Sequence, residues 1–202
     1  MTKVAVLSPH IDDAVFSCAE TMLSRPDLDF TIICPYGGFT EETIDKYNRL
    51  LAEHCAVLKC TGWQGIQGFL LDDGHPGVSE WYIDDRANEV LRFLAIFQSL
   101  YAYDEWWVPL GIHHPDHVAC RVAFDRLAPA AQVVFYEELP YRVLYPMLAE
   151  ALTLRLPATA SLAGSSGHLP EKRRLVRMYE SQVGPELERH VYAHERLWRC
   201  NG

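Results

Sequence analysis

The chain has 202 residues, of which 49% are hydrophobic, 22% charged and 11% aromatic, with 12 Gly and 12 Pro. At about 150 residues per domain this length and composition describe one globular domain, 1–202, and exclude a disordered, collagen-like or coiled-coil chain. Eighteen basic residues against 27 acidic ones leave a formal charge of -9, the wrong sign for neutralising nucleic-acid phosphates or an anionic membrane, so a small-molecule partner is expected. Cys18, Cys34, Cys55, Cys60, Cys120 and Cys200 contain no CxxC pair. They read as reduced, mostly buried thiols rather than a disulfide framework or a zinc ribbon. The opening Met1-Thr2-Lys3-Val4-Ala5-Val6-Leu7 is too short an apolar run for a signal peptide, and no stretch reaches the ~18 apolar residues of a membrane span, so the expected location is the cytoplasm.

Val4-Ala5-Val6-Leu7, closed by Ser8-Pro9, has the continuous apolarity of a strand buried on both faces, and a helix is predicted over 12–24. Phe30-Thr31-Ile32-Ile33-Cys34 repeats the strand, and helical spacing runs over 41–59 through Tyr47, Leu50, Leu51, His54, Val57 and Leu58. Gly68-Phe69-Leu70-Leu71 is a candidate third strand, followed by a long amphipathic helix over 79–100 opened by a serine cap. Trp106-Trp107-Val108-Pro109-Leu110 is a fourth apolar run, 115–127 a helix with proline in its first turn, and Val133-Val134-Phe135-Tyr136 a fifth strand. Beyond these, 152–156 reads as a further strand, 161–167 as a small-residue loop and 171–199 as mostly helical. Strands alternating with helices predict an α/β fold, a Rossmann-like three-layer sandwich around a mainly parallel sheet.

In open α/β sheets ligands bind beyond the carboxyl ends of the strands, above all where the strand order reverses. Ser8-Pro9-His10-Ile11-Asp12-Asp13 follows the first strand and Gly111-Ile112-His113-His114-Pro115-Asp116-His117 follows the fourth. With the common order 3-2-1-4-5, the two strands are neighbours and both clusters open onto one crevice. His10 and Asp13, three residues apart where a loop enters a helix, can face one side, and a histidine of the second cluster would complete two imidazoles and one carboxylate. Such a set holds a divalent metal and leaves positions open for water and substrate. Zinc lowers the pKa of its water to about 7, and Asp12, beside a ligand, is placed to take the proton. The competing reading is that Asp12 and Asp13 cap a helix and that His114 and His117 are polar residues of a first turn.

At these residues the sequence resembles the PIG-L/LmbE-like family of zinc-dependent de-N-acetylases, whose signature is a strand running into His-Pro-Asp-Asp-Glu and a later His-Pro-Asp-His. Here the first is His10-Ile11-Asp12-Asp13-Ala14 and the second His114-Pro115-Asp116-His117; the fuller string 8–17 resembles the variant of members that deacetylate amino sugars in antibiotic pathways. Tyr136-Glu137-Glu138-Leu139-Pro140-Tyr141 and 172–182 also look like family elements. The resemblance implies that His10, Asp13 and His117 bind the metal, zinc with ferrous iron as the alternative. It further implies that Asp12 is the general base, that His114 stabilises the oxyanion or protonates the leaving amine, and that Asp116 orients His114. Ile11, Ala14 and Glu20 depart from the family pattern without removing a ligand, and Ile112 stands where some members carry a tyrosine that assists the oxyanion. Asp72 resembles a family aspartate that contacts sugar hydroxyls, although Asp72-Asp73-Gly74 is equally good turn chemistry, and Tyr141 is a candidate for lining the pocket.

The activity expected is metal-dependent removal of an N-acetyl or other N-acyl group from an amino sugar or glycoconjugate. The rivals are an amidase for a thiol-sugar conjugate or another N-acyl small molecule, a ferrous oxygenase built on the same facial set of ligands, and a non-catalytic metal-binding module. His75, His168, His190 and His194 have no spacing that singles them out.

Overall fold

The computed structural model describes residues 1–36, 62–63, 80–157, 161–163, 167–179 and 185–200. The expected helix over 41–59, the strand over 68–71, the cap at Ser79 and residues Cys55, Cys60, Asp72 and His75 lie outside them.

The first apolar run forms strand β1 (Thr2–Leu7) and leads into helix α1 (Asp13–Leu23). Strand β2 (Leu28–Ile33) pairs in parallel with β1 along its whole length. The strand beyond β2 is β3 (Gly62–Trp63), which pairs with Thr31 and Ile32. Helix α2 (Glu80–Leu100) then precedes strand β4 (Glu105–Pro109), helix α3 (Pro115–Leu127) and strand β5 (Gln132–Tyr136). All these pairings are parallel, in the order β3-β2-β1-β4-β5.

Three expectations for the C-terminal part are corrected. Residues 152–156 do not form a strand: a one-turn helix α4 (Tyr141–Leu144) is followed by α5 (Pro146–Thr153), which contains Leu152. Pro146, at the first helical position, and the good helix formers Met147, Leu148, Ala149, Glu150 and Ala151 account for it. The small-residue stretch 161–167 begins with strand β6 (Ser161–Ala163) rather than a loop. The segment 171–199 does supply helices α6 (Leu169–Arg177) and α7 (Pro185–Val191), yet it ends in strand β7 (Leu197–Cys200). Strand β7 lies antiparallel between β5 and β6 and completes a seven-stranded sheet among the described residues.

Successive side chains of a strand face opposite sides of a sheet, and the core divides accordingly. Val4, Val6, Phe30, Ile32 and Trp107 pack with α1 and with Leu175, Val176 and Val191 on one side. Ala5, Leu7, Ile33, Trp106 and Val108 pack with α2 and α3 on the other. The near-continuous apolar strands are thus explained by helices on both faces, the three-layer arrangement expected. Among the described residues no helix is long and apolar enough to cross a membrane. Cys18, Cys34 and Cys120 are buried free thiols, as expected, and Cys200 is half-buried.

The C-terminal part is tied to α1 by charge as well as by packing. The fully buried Glu195 carboxylate accepts hydrogen bonds from the backbone N–H groups of Glu20 (2.9 Å) and Thr21 (2.8 Å), from the Thr21 hydroxyl (2.8 Å) and from Lys172 Nζ (3.0 Å). Removing one partner of such a pair leaves a buried charge without compensation, at a cost of about 3–5 kcal/mol. Glu195→Ala is therefore expected to lower thermal stability severely, as read by calorimetry, while Glu171→Ala, an exposed carboxylate next to Lys172 on α6, leaves it within ~0.5 kcal/mol.

Candidate metal centre

Strands β1 and β4 are adjacent and parallel, and the chain leaves β1 for β2 on one side and stands against β4 on the other, so the order reverses between them. Both His/Asp clusters therefore open from the carboxyl ends of neighbouring strands, as the motif positions predicted. The loop after β4 is shaped by left-handed backbone at Gly111 (φ +90°) and His113 (φ +64°). At Gly111 a Cβ would also stand 3.2 Å from Cβ of Arg121, so this turn requires glycine.

Asp12 occupies the N-cap position of α1 but its side chain makes no capping bond. The Ser8 hydroxyl serves instead, accepting from Ala14 N–H at 3.0 Å. Capping is thus not what holds either carboxylate. Asp13, 3% exposed, directs Oδ2 to the His10 N–H (2.7 Å), to within 3.4 Å of His10 Nδ1 and to within 3.3 Å of His117 Nε2. The ring centroids of His10, His114 and His117 lie 5.0 to 5.4 Å apart. One ligand atom from each of these three histidines fits within a 4.8 Å span, as does one from each of His10, Asp12 and Asp13. His10, Asp12, Asp13, His114, Asp116 and His117 are thereby brought to one place.

His114 is the N-cap of α3, its Nδ1 accepting from Asp116 N–H at 3.3 Å, with Pro115 in the first turn. Its proton therefore resides on Nε2. The Asp116 carboxylate stands nearer to His10, with Oδ2 3.0 Å from Nε2, than to His114 Nδ1 at 3.9 Å. Tyr141 lines the same place, its ring 5.0 Å from that of His117 and 5.8 Å from that of His114. Ile112 is fully buried in the core among the side chains packed by α2 and α3.

The charges are strongly coupled. Burial and the neighbouring charge of Asp13 push the Asp12 carboxyl up to about 6. Burial would do the same to Asp13, but the imidazoles of His117 and His10 outweigh it and hold that carboxyl far below the usual range. His10 and His117 experience burial in the opposite sense; hydrogen bonding to Asp116 and Asp13 carries His10 up to about 10, and Asp13 with Glu138 carries His117 up to about 9. Burial, together with these two imidazoles, pushes His114 down to about 4.

His117 is completely buried, yet neither of its ring nitrogens has a hydrogen-bond partner. Buried imidazole nitrogens are costly when unsatisfied. Two imidazoles and a carboxylate, one imidazole with both nitrogens unsatisfied, fit a divalent cation that takes nitrogen and oxygen ligands. Three contributors are residues to which the sequence assigns no role. Glu138, directly after the carboxyl end of β5, points at His117, with Oε1 3.4 Å from Nδ1. His113 stacks on Tyr145 with centroids 3.8 Å apart. Tyr36, whose ring lies 6.0 Å from that of His10, buries a phenol with no hydrogen-bond partner. Each follows a strand end, the same positional signal that drew attention to His10 and His114.

No family model and no curated protein matches the chain in sequence. Among solved structures it is similar to the zinc-inhibited form of a teicoplanin deacetylase, with a TM-score of 0.74 and 16% identity over 99% of both chains. It is also similar to an N,N'-diacetylchitobiose deacetylase of Pyrococcus horikoshii, with a TM-score of 0.51 and 13% identity over 92% of this chain and 72% of that one. A 4-carboxy-2-hydroxymuconate hydratase of Pseudomonas putida shares the architecture too, at a TM-score of 0.57 and 13% identity over 95% of this chain and 83% of that one. One scaffold thus carries different reactions, and fold by itself does not name the chemistry. The chain has the α/β fold of these deacetylases, the fold class that the alternation of strands and helices predicted.

Proposed function

We propose that the protein is a metal-dependent amide hydrolase that removes an N-acetyl group from an amino sugar or glycoconjugate. The observation that carries this reading is the Asp12 carboxyl, relieved of capping by Ser8 and gathered with His10 and Asp13, where Asp13 Oδ2 stands between His10 Nδ1 and His117 Nε2, the three residues we assign as ligands. The deacetylase neighbours, one acting on an N-acetylated sugar, support the same reaction. A divalent cation at His10, Asp13 and His117, zinc in our reading with ferrous iron as the alternative, supplies Lewis acidity that polarises the amide carbonyl and lowers the pKa of water.

This chain's own residues supply the proton transfers. Asp12, ionised at neutral pH with its carboxyl near 6, accepts a proton from the attacking water as oxygen bonds to the carbonyl carbon. His114 is neutral there, and its Nε2–H donates a hydrogen bond to the carbonyl oxygen as negative charge develops on it. Asp12 then returns its proton to the amide nitrogen, the C–N bond breaks, and acetate and the free amine leave. Asp116 keeps His10 and the first turn of α3 in register with each other, and Tyr141 shapes the pocket wall. Asp72 is assigned to the sugar hydroxyls on the family resemblance alone. With the four described cysteines as free thiols, we place the enzyme in the cytoplasm.

The test is acetate release by zinc-loaded protein from a panel of N-acetylated amino sugars and their glycosides. Release that depends on added metal supports the reading, and a metal-loaded protein inert across the panel overturns it.

The wall beyond Tyr141 bears on substrate size. Leu144, Tyr145, Met147, Leu148 and Leu154 are exposed apolar side chains within eleven residues of one another, Met147 and Leu154 at 76% and 80%. Tyr145 joins this stretch to the site by stacking on His113, and exposed apolar side chains gathered together mark binding, in our reading of the apolar part of a glycoconjugate. Met147→Lys combined with Leu154→Lys is expected to leave turnover of a free N-acetyl amino sugar unchanged. The same variant should raise KM for a glycoside with an aromatic aglycone about tenfold, the loss of ~1.4 kcal/mol that burying part of two such side chains supplies.

A further inference from the structure

Glu137 and Glu138 are consecutive buried carboxylates with separate surroundings. Glu137 is met by Trp198 Nε1 (2.7 Å), Arg142 and Arg196. Glu138, fully buried, turns the other way. Its Oε1 accepts the N–H groups of Gly111 (2.7 Å) and Ile112 (2.9 Å), and its Oε2 that of Leu110 (3.2 Å). Three donors therefore clamp the carboxylate to the loop after β4, whose left-handed turn at Gly111 aims those N–H groups inward. Clamped there, Oε1 stands 3.4 Å from Nδ1 of a histidine that is itself without hydrogen-bond partners.

We propose that Glu138 is the positioning residue for His117: its carboxylate faces Nδ1–H as the acceptor and keeps the proton on that nitrogen, so that Nε2 faces Asp13 as a ligand nitrogen, and it thereby sets the affinity of the site for a divalent cation. The inference rests on the metal reading of the centre. A carboxylate behind a ligating imidazole fixes its tautomer and raises its basicity, and losing such a partner typically weakens metal affinity 10- to 100-fold. His10 has the matching arrangement, with Asp116 Oδ2 3.0 Å from Nε2 and Asp13 Oδ2 3.4 Å from Nδ1. Each proposed histidine ligand thus stands between Asp13 and a second carboxylate. The buried position of Glu138 serves two ends through one group, holding the loop that carries His114 and orienting the histidine that follows it.

Glu138→Gln can keep the one oxygen that Gly111, Ile112 and His117 Nδ1 share while losing the negative charge, so it tests the charge behind His117 apart from the loop contacts. Zinc affinity is read by competition with a chromogenic chelator, beside thermal unfolding of the metal-free proteins. The expected result is an affinity lowered about 10- to 100-fold with the metal-free midpoint little changed. Nitrogen-15 NMR of the zinc-loaded parental protein gives a second reading that needs no variant, with a retained proton expected on His117 Nδ1. Parental zinc affinity in Glu138→Gln, or ligation of zinc through Nδ1, overturns the proposal. His117→Ala, run in parallel, separates the two levels: if that variant binds zinc as the parent does, the metal reading has failed and the role of Glu138 falls with it.

Discussion

His117→Ala is expected to abolish stoichiometric metal binding: elemental analysis should find about one zinc or iron per parental chain and close to none in the variant. His117 has zero exposure and two ring nitrogens without a hydrogen bond, set between the carboxylates of Asp13 and Glu138. A ligand that binds only the folded state stabilises it by RT ln(1 + [L]/Kd), about 4 kcal/mol at a thousandfold excess over Kd. For a chain of this size that raises the unfolding midpoint by roughly 10 °C. Zinc should thus protect the parental protein strongly, and a chelator should reverse the effect together with any acetate release. An unshifted midpoint, with no metal retained or taken up, would mean that the two clusters only order the starts of α1 and α3.

Those two clusters were legible because each lies in a local pattern. A continuous apolar strand followed at once by His and Asp residues puts the side chains at the strand's carboxyl end, and the parallel order β3-β2-β1-β4-β5 then makes the clusters neighbours. The C-terminal strands had no such pattern. Ser161–Ala163 is three residues long, and Leu197–Cys200 mixes apolar with charged residues; their pairing comes from docking against β5, more than sixty residues from the start of β7. The competing reading of Asp12 and Asp13 as caps fails for a related reason. Asp12 and Asp13 stand where caps stand, but Ser8, five residues upstream of the helix, reaches back over the turn to Ala14 N–H. Glu138 stands beside Glu137 in the string 136–141 that resembles a family element, but the sequence assigns it no role. Only three-dimensional placement shows that one of the two carboxylates enters the loop of the next strand.

Asp12→Ala is expected to behave in the opposite way to His117→Ala, keeping the metal and losing the reaction. Because the side chain makes no capping bond and Ser8 caps α1, the substitution removes no helix contact of this kind, so the unfolding midpoint and its response to zinc should stay near parental values. Loss of a positioned general base lowers turnover about 10²- to 10⁴-fold, read as kcat for acetate release at neutral pH. The neighbouring group that could substitute is poorly suited to do so. His114 has its Nδ1 occupied by the Asp116 N–H, which leaves Nε2 protonated, a donor and not an acceptor. Burial and the two imidazoles beside it hold that ring neutral, near 4, so it neither takes the water's proton readily nor gives one as imidazolium at neutral pH. Asp12→Asn, which preserves shape and removes the acceptor charge, should therefore fall as far as Asp12→Ala. Parental turnover in either variant would reassign the base, and unchanged metal content would show that the reassignment concerns the proton alone.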